Sequence, residues 1–512
     1  MHGESEDRAR DHARRLTRGG LLAKNTLLTT ASHVAIVAVQ IAAVPVLINQ
    51  LGTARFGVLS LAWVVIGYAN FFDLGLGRAL TKLTAERLGA GVEHEIPRLF
   101  WTAITLLGLL GLVAGAMVGA LSPWLVEDAL NIPEDLETES LITFLMLAGC
   151  IPFVVVNAAL RGNLEARQRF DITSGIAVPF SFLSYFGPVV TVTLISQSLP
   201  VAVSALVFSR VLACGVTLVL CLRVDPALRS DRGFSRPLAG ALFRFGGWVT
   251  GSAVMQAVLG SLDRFVVGAL LSVRAVAFYA TPFEAVKQLR VVSGAFSSVL
   301  FPAFAATVGS DRARAERLFR RGTRGALLAM FPVAFTCALF APEILEVWVG
   351  EEFARNSAGV MQWLAAGILL NTVAMVAFGM VQSVRPDLIV KLYLVELPLY
   401  VLAFYGLIGA FGVEGAAMAW TARVSLDAAL LFAMLYRLRL VGLESILAIA
   451  RPVALALAVF LLAVQLDGVA VKAAFLCAVI VAFAILAWFR MLELPERAML
   501  RTRLRQLRPS SG

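Results

Sequence analysis

Ionisable side chains set inside long apolar runs are the part of this sequence with chemistry to explain. Glu284, Lys287 and Arg290 recur every three residues within an apolar stretch running from about 275 to 303. On a helix that spacing stacks them along one face. A polar stripe on a membrane-embedded helix must face a wet cavity or a partner. Two cations and one acid make an electropositive surface whose charge Glu284 tunes. Such a surface suits a phosphorylated ligand, because an Arg fork binds phosphate oxygens bidentately while Lys acts as a point charge. The competing reading is a helix–helix ion pair that holds the protein together. Arg210 stands alone in another apolar run and needs an anion or a carboxylate. Asp263 and Arg264 are adjacent, so they point about 100° apart on a helix. One is expected to face the cavity and the other the headgroups. Arg423 and Asp427, four residues apart, read as a structural ion pair. Asp73 precedes Leu-Gly-Leu-Gly-Arg78 and is placed to pair with Arg78 or to cap a neighbouring element. The expected substrate-binding cations are therefore Lys287, Arg290, Arg264 and Arg210. Glu284, Asp427 and Asp73 are the expected coupling or charge-tuning acids. Carboxylates such as Glu284 and Asp427 within spans point to a proton or sodium gradient as the energy source.

No catalytic constellation accompanies these charges. His2, His12, His33 and His94 are scattered, and no His-Glu-x-x-His or nucleotide-binding Gly-x-x-x-x-Gly-Lys-Ser/Thr pattern occurs. The sequence therefore predicts no catalytic residues, no metal and no cofactor. A membrane polymerase or ligase would want a large external loop with acceptor-binding groups. The longest candidate, about Ser122–Ser140, is acidic and ill-suited to a pyrophosphate donor. Of the five cysteines, Cys150, Cys214, Cys337 and Cys477 lie in apolar runs and read as small packing residues.

The elements that must position these charges are membrane spans. Hydrophobic residues make up 59% of the 512, and charged residues only 15%, against about 25% in a soluble domain. The mean hydropathy is +0.82. That excludes a soluble multidomain protein, a secreted disulfide scaffold and a disordered chain. A membrane helix needs about 20 apolar residues. The sequence predicts an all-α polytopic membrane protein with about 14 transmembrane helices. The expected spans lie near 27–48, 56–76, 99–121, 141–160, 172–195 and 200–222, then 242–262, 275–303, 325–342, 358–382, 388–408, 412–436, 446–466 and 470–489. The corresponding organisation is a basic cytoplasmic tail (1–24), a first six-helix bundle (25–222), a cytoplasmic linker (223–240), a second six-helix bundle (241–437), two additional helices (438–490) and a basic cytoplasmic tail (491–512).

Loop charges set the orientation. With both termini cytoplasmic, that side receives most of the 44 Lys and Arg residues, including the run Arg312, Arg314, Arg317, Arg320, Arg321 and Arg324. The opposite side holds Arg55, Arg264, Arg274, Arg355 and Lys472 with two acidic stretches, Glu127–Glu139 and Glu343–Glu352. The net charge of +10 is thus a topogenic signal and not a nucleic-acid site. A shift of about 220 residues lays Leu51–Val58 over Leu271–Phe278, with similar charge layouts around both. Six spans per repeat is even, so the halves run parallel about an axis along the membrane normal. This design leaves a cavity between two bundles and favours alternating access.

Four stretches then resemble one family in order along the chain. Phe71-Phe-Asp-Leu-Gly-Leu-Gly77 with Arg78 resembles the end of the second helix of polysaccharide flippases. Arg161-Gly-Asn-Leu-Glu-Ala-Arg-Gln-Arg-Phe170 resembles their fourth-to-fifth connection. Asp263-Arg-Phe-Val-Val-Gly268, Val276-Ala-Phe-Tyr279 and Leu300-Phe-Pro302 resemble the start of their second half. Glu346-Val-Trp-Val-Gly350 resembles the end of their ninth helix. The chain is thus similar to the Wzx-type polysaccharide and O-antigen flippases of the multidrug/oligosaccharidyl-lipid/polysaccharide exporter superfamily. The resemblance implies a V-shaped pair of six-helix bundles plus two added helices. It implies a cargo of undecaprenyl-pyrophosphate-linked glycan moved across the bacterial inner membrane. Membrane lipids, a polysaccharide polymerase and chain-length machinery are the implied partners. A multidrug/cation antiporter or a lipid II flippase of the same superfamily is the alternative. The Lys/Arg stripe and the extra two helices argue for an anionic cargo.

Overall fold

Long apolar runs bounded by Pro, Gly and charge clusters become helices throughout the computed structural model. It describes residues 19–244, 263–309 and 311–491. The expected seventh span at 242–262 and both charged tails lie largely outside these residues, as do His2 and His12. Among the described residues, ten helices are long and apolar enough to cross a membrane, and Ala35–Leu51 and Thr53–Ala69 are shorter apolar ones. The chain divides into two compact units, Met1–Thr281 and Pro282–Gly512.

The first unit is built from α1 (Gly19–Leu51), α2 (Thr53–Ala69), α3 (Leu76–Ala90), α4 (Ile96–Trp124), α5 (Glu134–Ala166), α6 (Phe170–Leu194) and α7 (Leu199–Val224). A helical stretch at 263–270 and the first turns of α8 (Val273–Lys287) complete it. Helix α5 is its hub, packed against α4, α7, α3 and α2. Close approach depends on missing side chains. A Cβ on Gly111 would stand 2.6 Å from Pro152 Cα, and one on Gly115 would stand 2.5 Å from the Ala148 carbonyl oxygen. Gly108, expected on the same small-residue face, meets nothing within 4 Å.

The acidic external loop expected at Ser122–Ser140 is mostly helix. Helix α4 runs to Trp124 and continues through a π turn, and α5 starts at Glu134. Pro133 precedes the first turn, and Glu134, Asp135 and Glu137 sit where the positive end of the helix dipole favours acids. The short connection that remains ties down the end of the 263–270 stretch. Asn131 donates its backbone N–H to the Gly268 carbonyl (3.2 Å) and its side-chain amide to those of Ala269 (2.9 Å) and Leu271 (3.2 Å).

The second unit continues with α9 (Arg290–Thr307), α10 (Arg312–Leu339), α11 (Ala341–Val349), α12 (Glu351–Val384), α13 (Pro386–Arg437), α14 (Leu443–Ala463) and α15 (Val469–Leu486). Helix α12 is the hub: 78% of its most apolar window is buried, against 6% for the last span. Helix α13 is two helices. Gly412 has φ 59° and ψ −134°, a conformation open to glycine, and the chain reverses there. Gly415 then packs directly on the Leu407 carbonyl, where a side chain could not fit. The arms on either side of Gly412 correspond to the spans expected at 388–408 and 412–436.

Helices α14 and α15 are fastened to α10 and α11. Glu316 accepts from the Gly442 N–H (2.9 Å) and the Ser445 hydroxyl (2.6 Å) at the start of α14. Lys472 Nζ meets Glu343 Oε1 at 2.6 Å. Between these clips, Phe331 and Phe335 of α10 pack on Phe460, Phe475 and Phe483, the closest ring centroids being 4.4 Å apart.

Candidate functional site

The cationic stripe begins where α8 gives way to α9. The structure corrects the expectation of one continuous helix carrying Glu284, Lys287 and Arg290. Helix α8 ends at Lys287, Gln288 and Leu289 form a turn, and α9 opens at Arg290. The chain passes through bonds three residues apart: Gln288 N–H to Ala285 O (3.3 Å), Leu289 N–H to Val286 O (3.0 Å) and Val291 N–H to Gln288 O (3.2 Å). The helix tightens there, so the α period does not run through the stripe. Glu284 and Lys287 pair within α8 at 3.3 Å, with the Lys side chain 45% exposed. Arg290 stands apart from that pair. Among the described residues it makes no hydrogen bond or salt bridge; its charged neighbour is Arg423, and Tyr393 lies beside it.

Packing fixes this break in place. The Ser293 and Thr372 hydroxyls share a buried hydrogen bond of 2.8 Å between α9 and α12. The Phe283 ring meets Trp420 edge-on at 5.8 Å. The Thr421 hydroxyl donates to the Trp363 carbonyl at 2.8 Å, locking the second arm of α13 onto α12.

The α13 hairpin supplies a second polar cluster. The expected Arg423–Asp427 ion pair is not formed. Arg423 instead approaches Glu396 on the opposite arm, Nη1 to Oε2 at 3.8 Å, and its guanidinium lies over the Tyr400 ring at 5.4 Å. Spacing within one helix could not show this, because the reversal at Gly412 brings in a carboxylate from the other arm. Glu396 is 0% exposed, and neither carboxylate oxygen finds a hydrogen-bond donor. Asp427 is the other charged neighbour of Glu396, and its Oδ1 is likewise without a donor. Glu396 is the residue that sequence reasoning left without a role. Its signal was its distance from Gly412, close to that of Asp427 on the other side.

The remaining candidates belong to the first unit. Asp263 and Arg264 are 2% and 4% exposed, so neither reaches headgroups, contrary to expectation. The Asp263 carboxylate is held by the Tyr279 hydroxyl (2.6 Å) and by the Arg264 backbone N–H (2.9 Å). Arg210 lies on α7 with a buried Nε that has no hydrogen-bond partner, beside Tyr185 and Cys150. Asp73 closes a turn by accepting from the Gly75 N–H at 2.8 Å, with Leu74 (φ 47°) and Gly75 (φ 67°) in left-handed conformations before α3. It is a cap, and Arg78 makes no salt bridge with it. Arg55, expected on the outer side, grips Glu139 through two bonds of 2.9 and 3.1 Å, and Glu139 also caps α7 at the Leu199 N–H (3.1 Å). Sequence reading assigned both to one side of the membrane without pairing them. Among the described residues, no three His, Cys, Asp or Glu side chains are grouped to hold a metal ion.

Two solved structures share this arrangement of helices. An inward-facing MATE-family multidrug resistance transporter of the MOP superfamily superposes with a TM-score of 0.67 at 16% identity, over 79% of this chain and 94% of its own. The lipid II flippase MurJ in an inward closed conformation gives 0.66 at 11% identity, over 91% and 99%. The likeness is one of fold, that of an all-helical multi-pass membrane protein. A family model described as polysaccharide biosynthesis protein matches residues 46–358. A Shigella flexneri protein that bears the name O-antigen transporter is 30% identical over 390 residues, 75% of this chain and 90% of that protein. The chain belongs to the polysaccharide biosynthesis protein family.

Proposed function

We propose that this protein is a flippase for lipid-linked oligosaccharide. It carries an undecaprenyl-pyrophosphate-linked glycan from the cytoplasmic to the outer leaflet of the bacterial inner membrane by alternating access. Both termini are cytoplasmic, and the glycan serves surface polysaccharide assembly. The observation that carries the reading is Arg290. It is a cation within a membrane span whose charged neighbour is a second cation, Arg423. Arg423 already faces Glu396, whereas Arg290 has no carboxylate partner, so an anion drawn to Arg290 meets a second positive charge nearby. A pyrophosphate is such an anion, and Arg is the side chain that binds it in two-point fashion. Lys287, three residues earlier, adds a third positive charge, tempered by Glu284. Arg264 and Arg210 are reserve cations of the first unit. The lipid tail stays in the bilayer, so the head alone needs a wet path.

Family membership and the name of the Shigella relative support a glycan cargo. The fold shared with MurJ keeps a lipid II cargo as the second reading, and the two differ in which defect the protein repairs. Deleting the gene and identifying the lipid-linked sugar that accumulates on the cytoplasmic leaflet tests the proposal. The expected result is a lipid-linked repeat unit of a surface polysaccharide. Accumulation of lipid II would replace the glycan reading with the alternative, and accumulation of neither would remove the flippase reading.

A further inference from the structure

Glu396 is the least explained group in the protein. It lies in a membrane-spanning hairpin arm, is fully buried, and faces a guanidinium at 3.8 Å without a hydrogen bond to it. A buried carboxylate with two unfilled oxygens is costly unless something donates to it. The other group at hand is Asp427, also a carboxyl, with an unfilled Oδ1. Neither can donate to the other while both are ionised.

The charged and titratable surroundings of the pair are few. Arg423 comes from the second arm and Tyr393 from the first. Arg290 of α9 has Arg423 and Tyr393 as its charged and titratable neighbours. Helix α12, packed against the hairpin, has no charged residue after Arg355. One guanidinium therefore serves two carboxyls. Two like charges in one dry site cannot both persist cheaply, and a single proton between them removes the repulsion and supplies the missing hydrogen bond.

We propose that Glu396 and Asp427 form a proton-binding carboxyl pair, holding one proton between them with Arg423 as counter-charge. The O–H of one carboxyl donates to an oxygen of the other, and the remaining negative charge faces Arg423. With the Arg423 guanidinium already 3.8 Å from Glu396, the cation assigned to this site is a proton. Arg423 neighbours both the carboxyl pair and Arg290. An anion drawn to Arg290 competes with Glu396 for Arg423, and this links the proton to the cargo. That last use rests on the transport reading above; the pair itself does not.

Infrared difference spectroscopy of the full-length protein reconstituted in lipid tests it at neutral pH. The expected result is a deuterium-sensitive C=O stretch of a protonated carboxylic acid that disappears in Glu396→Gln and also in Asp427→Asn. In either variant the surviving carboxylate has Arg423 to itself and ionises. Arg423→Gln should move the band the other way and strengthen it, which a misfolded protein would not do. Absence of the band in the unmodified protein, or its survival in either single variant, overturns the proposal. Glycan export by the same variants' parent separates the two ideas. Rescue of surface glycan without the band keeps the flippase and discards the pair. Failure of rescue discards the flippase whatever the band shows.

Discussion

At Asp263 a buried carboxylate accepts from a neighbouring hydroxyl. The Tyr279 O–H donates to it at 2.6 Å, and both residues are almost wholly buried. Removing that donor leaves the carboxylate short of a hydrogen bond, at a cost of about 1–3 kcal/mol. Tyr279→Phe should therefore lower the unfolding temperature of the detergent-purified protein, while Phe278→Leu next to it should cost less. Sequence reading found Asp263 but gave it the wrong surroundings. The spacing of Asp263 and Arg264 fixes the angle between them, not which helix covers them. Arg423 shows the same limit. Its i, i+4 neighbour was visible in the sequence, but the carboxylate that approaches it comes from across a hairpin. Arg290 was legible because it recurs at a three-residue spacing with Glu284 and Lys287 in an apolar run, a pattern conspicuous whatever surrounds it.

The hairpin of α13 is the element on which the second polar cluster depends. Gly412 alone makes the reversal that sets Glu396 against Arg423, in a conformation that costs other residues about 1–3 kcal/mol. Gly412→Val should reduce the yield of folded protein measured by fluorescence-detected gel filtration, and Gly406→Ala, with open space around it, should not. At the other end of the chain Gly115 holds α4 against α5. Gly115→Leu overpacks that contact, at about 1–3 kcal/mol, and Gly108→Leu is expected to be tolerated. The two spans on either side of Gly412 were readable because the apolar pattern is interrupted there by glycine and Glu414. The break at Gln288–Leu289 was not, since neither residue punctuates a helix. Contacts made by Phe283 and Ser293 with α13 and α12 set it instead.

At the scale of the whole molecule, the all-helical membrane class was written in composition alone. The distribution of Arg and Lys between alternate loops fixes the proposed orientation. On a cysteine-free background, Arg314→Cys should react with an impermeant thiol reagent only in inverted membranes, and Glu346→Cys only in intact cells. The reverse pattern would invert the topology. The last helix is held to α11 by Glu343 and Lys472, so Lys472→Glu should destabilise the protein and the double exchange with Glu343→Lys should restore much of the loss, as read by thermal unfolding. What the protein moves is tested most directly by reconstituting it in vesicles with a labelled undecaprenyl-pyrophosphate oligosaccharide and measuring the appearance of label in the opposite leaflet. The account predicts transfer well above protein-free vesicles, abolished by Lys287→Ala combined with Arg290→Ala although that variant remains folded. Transfer by the double variant at the rate of the unmodified protein would contradict it.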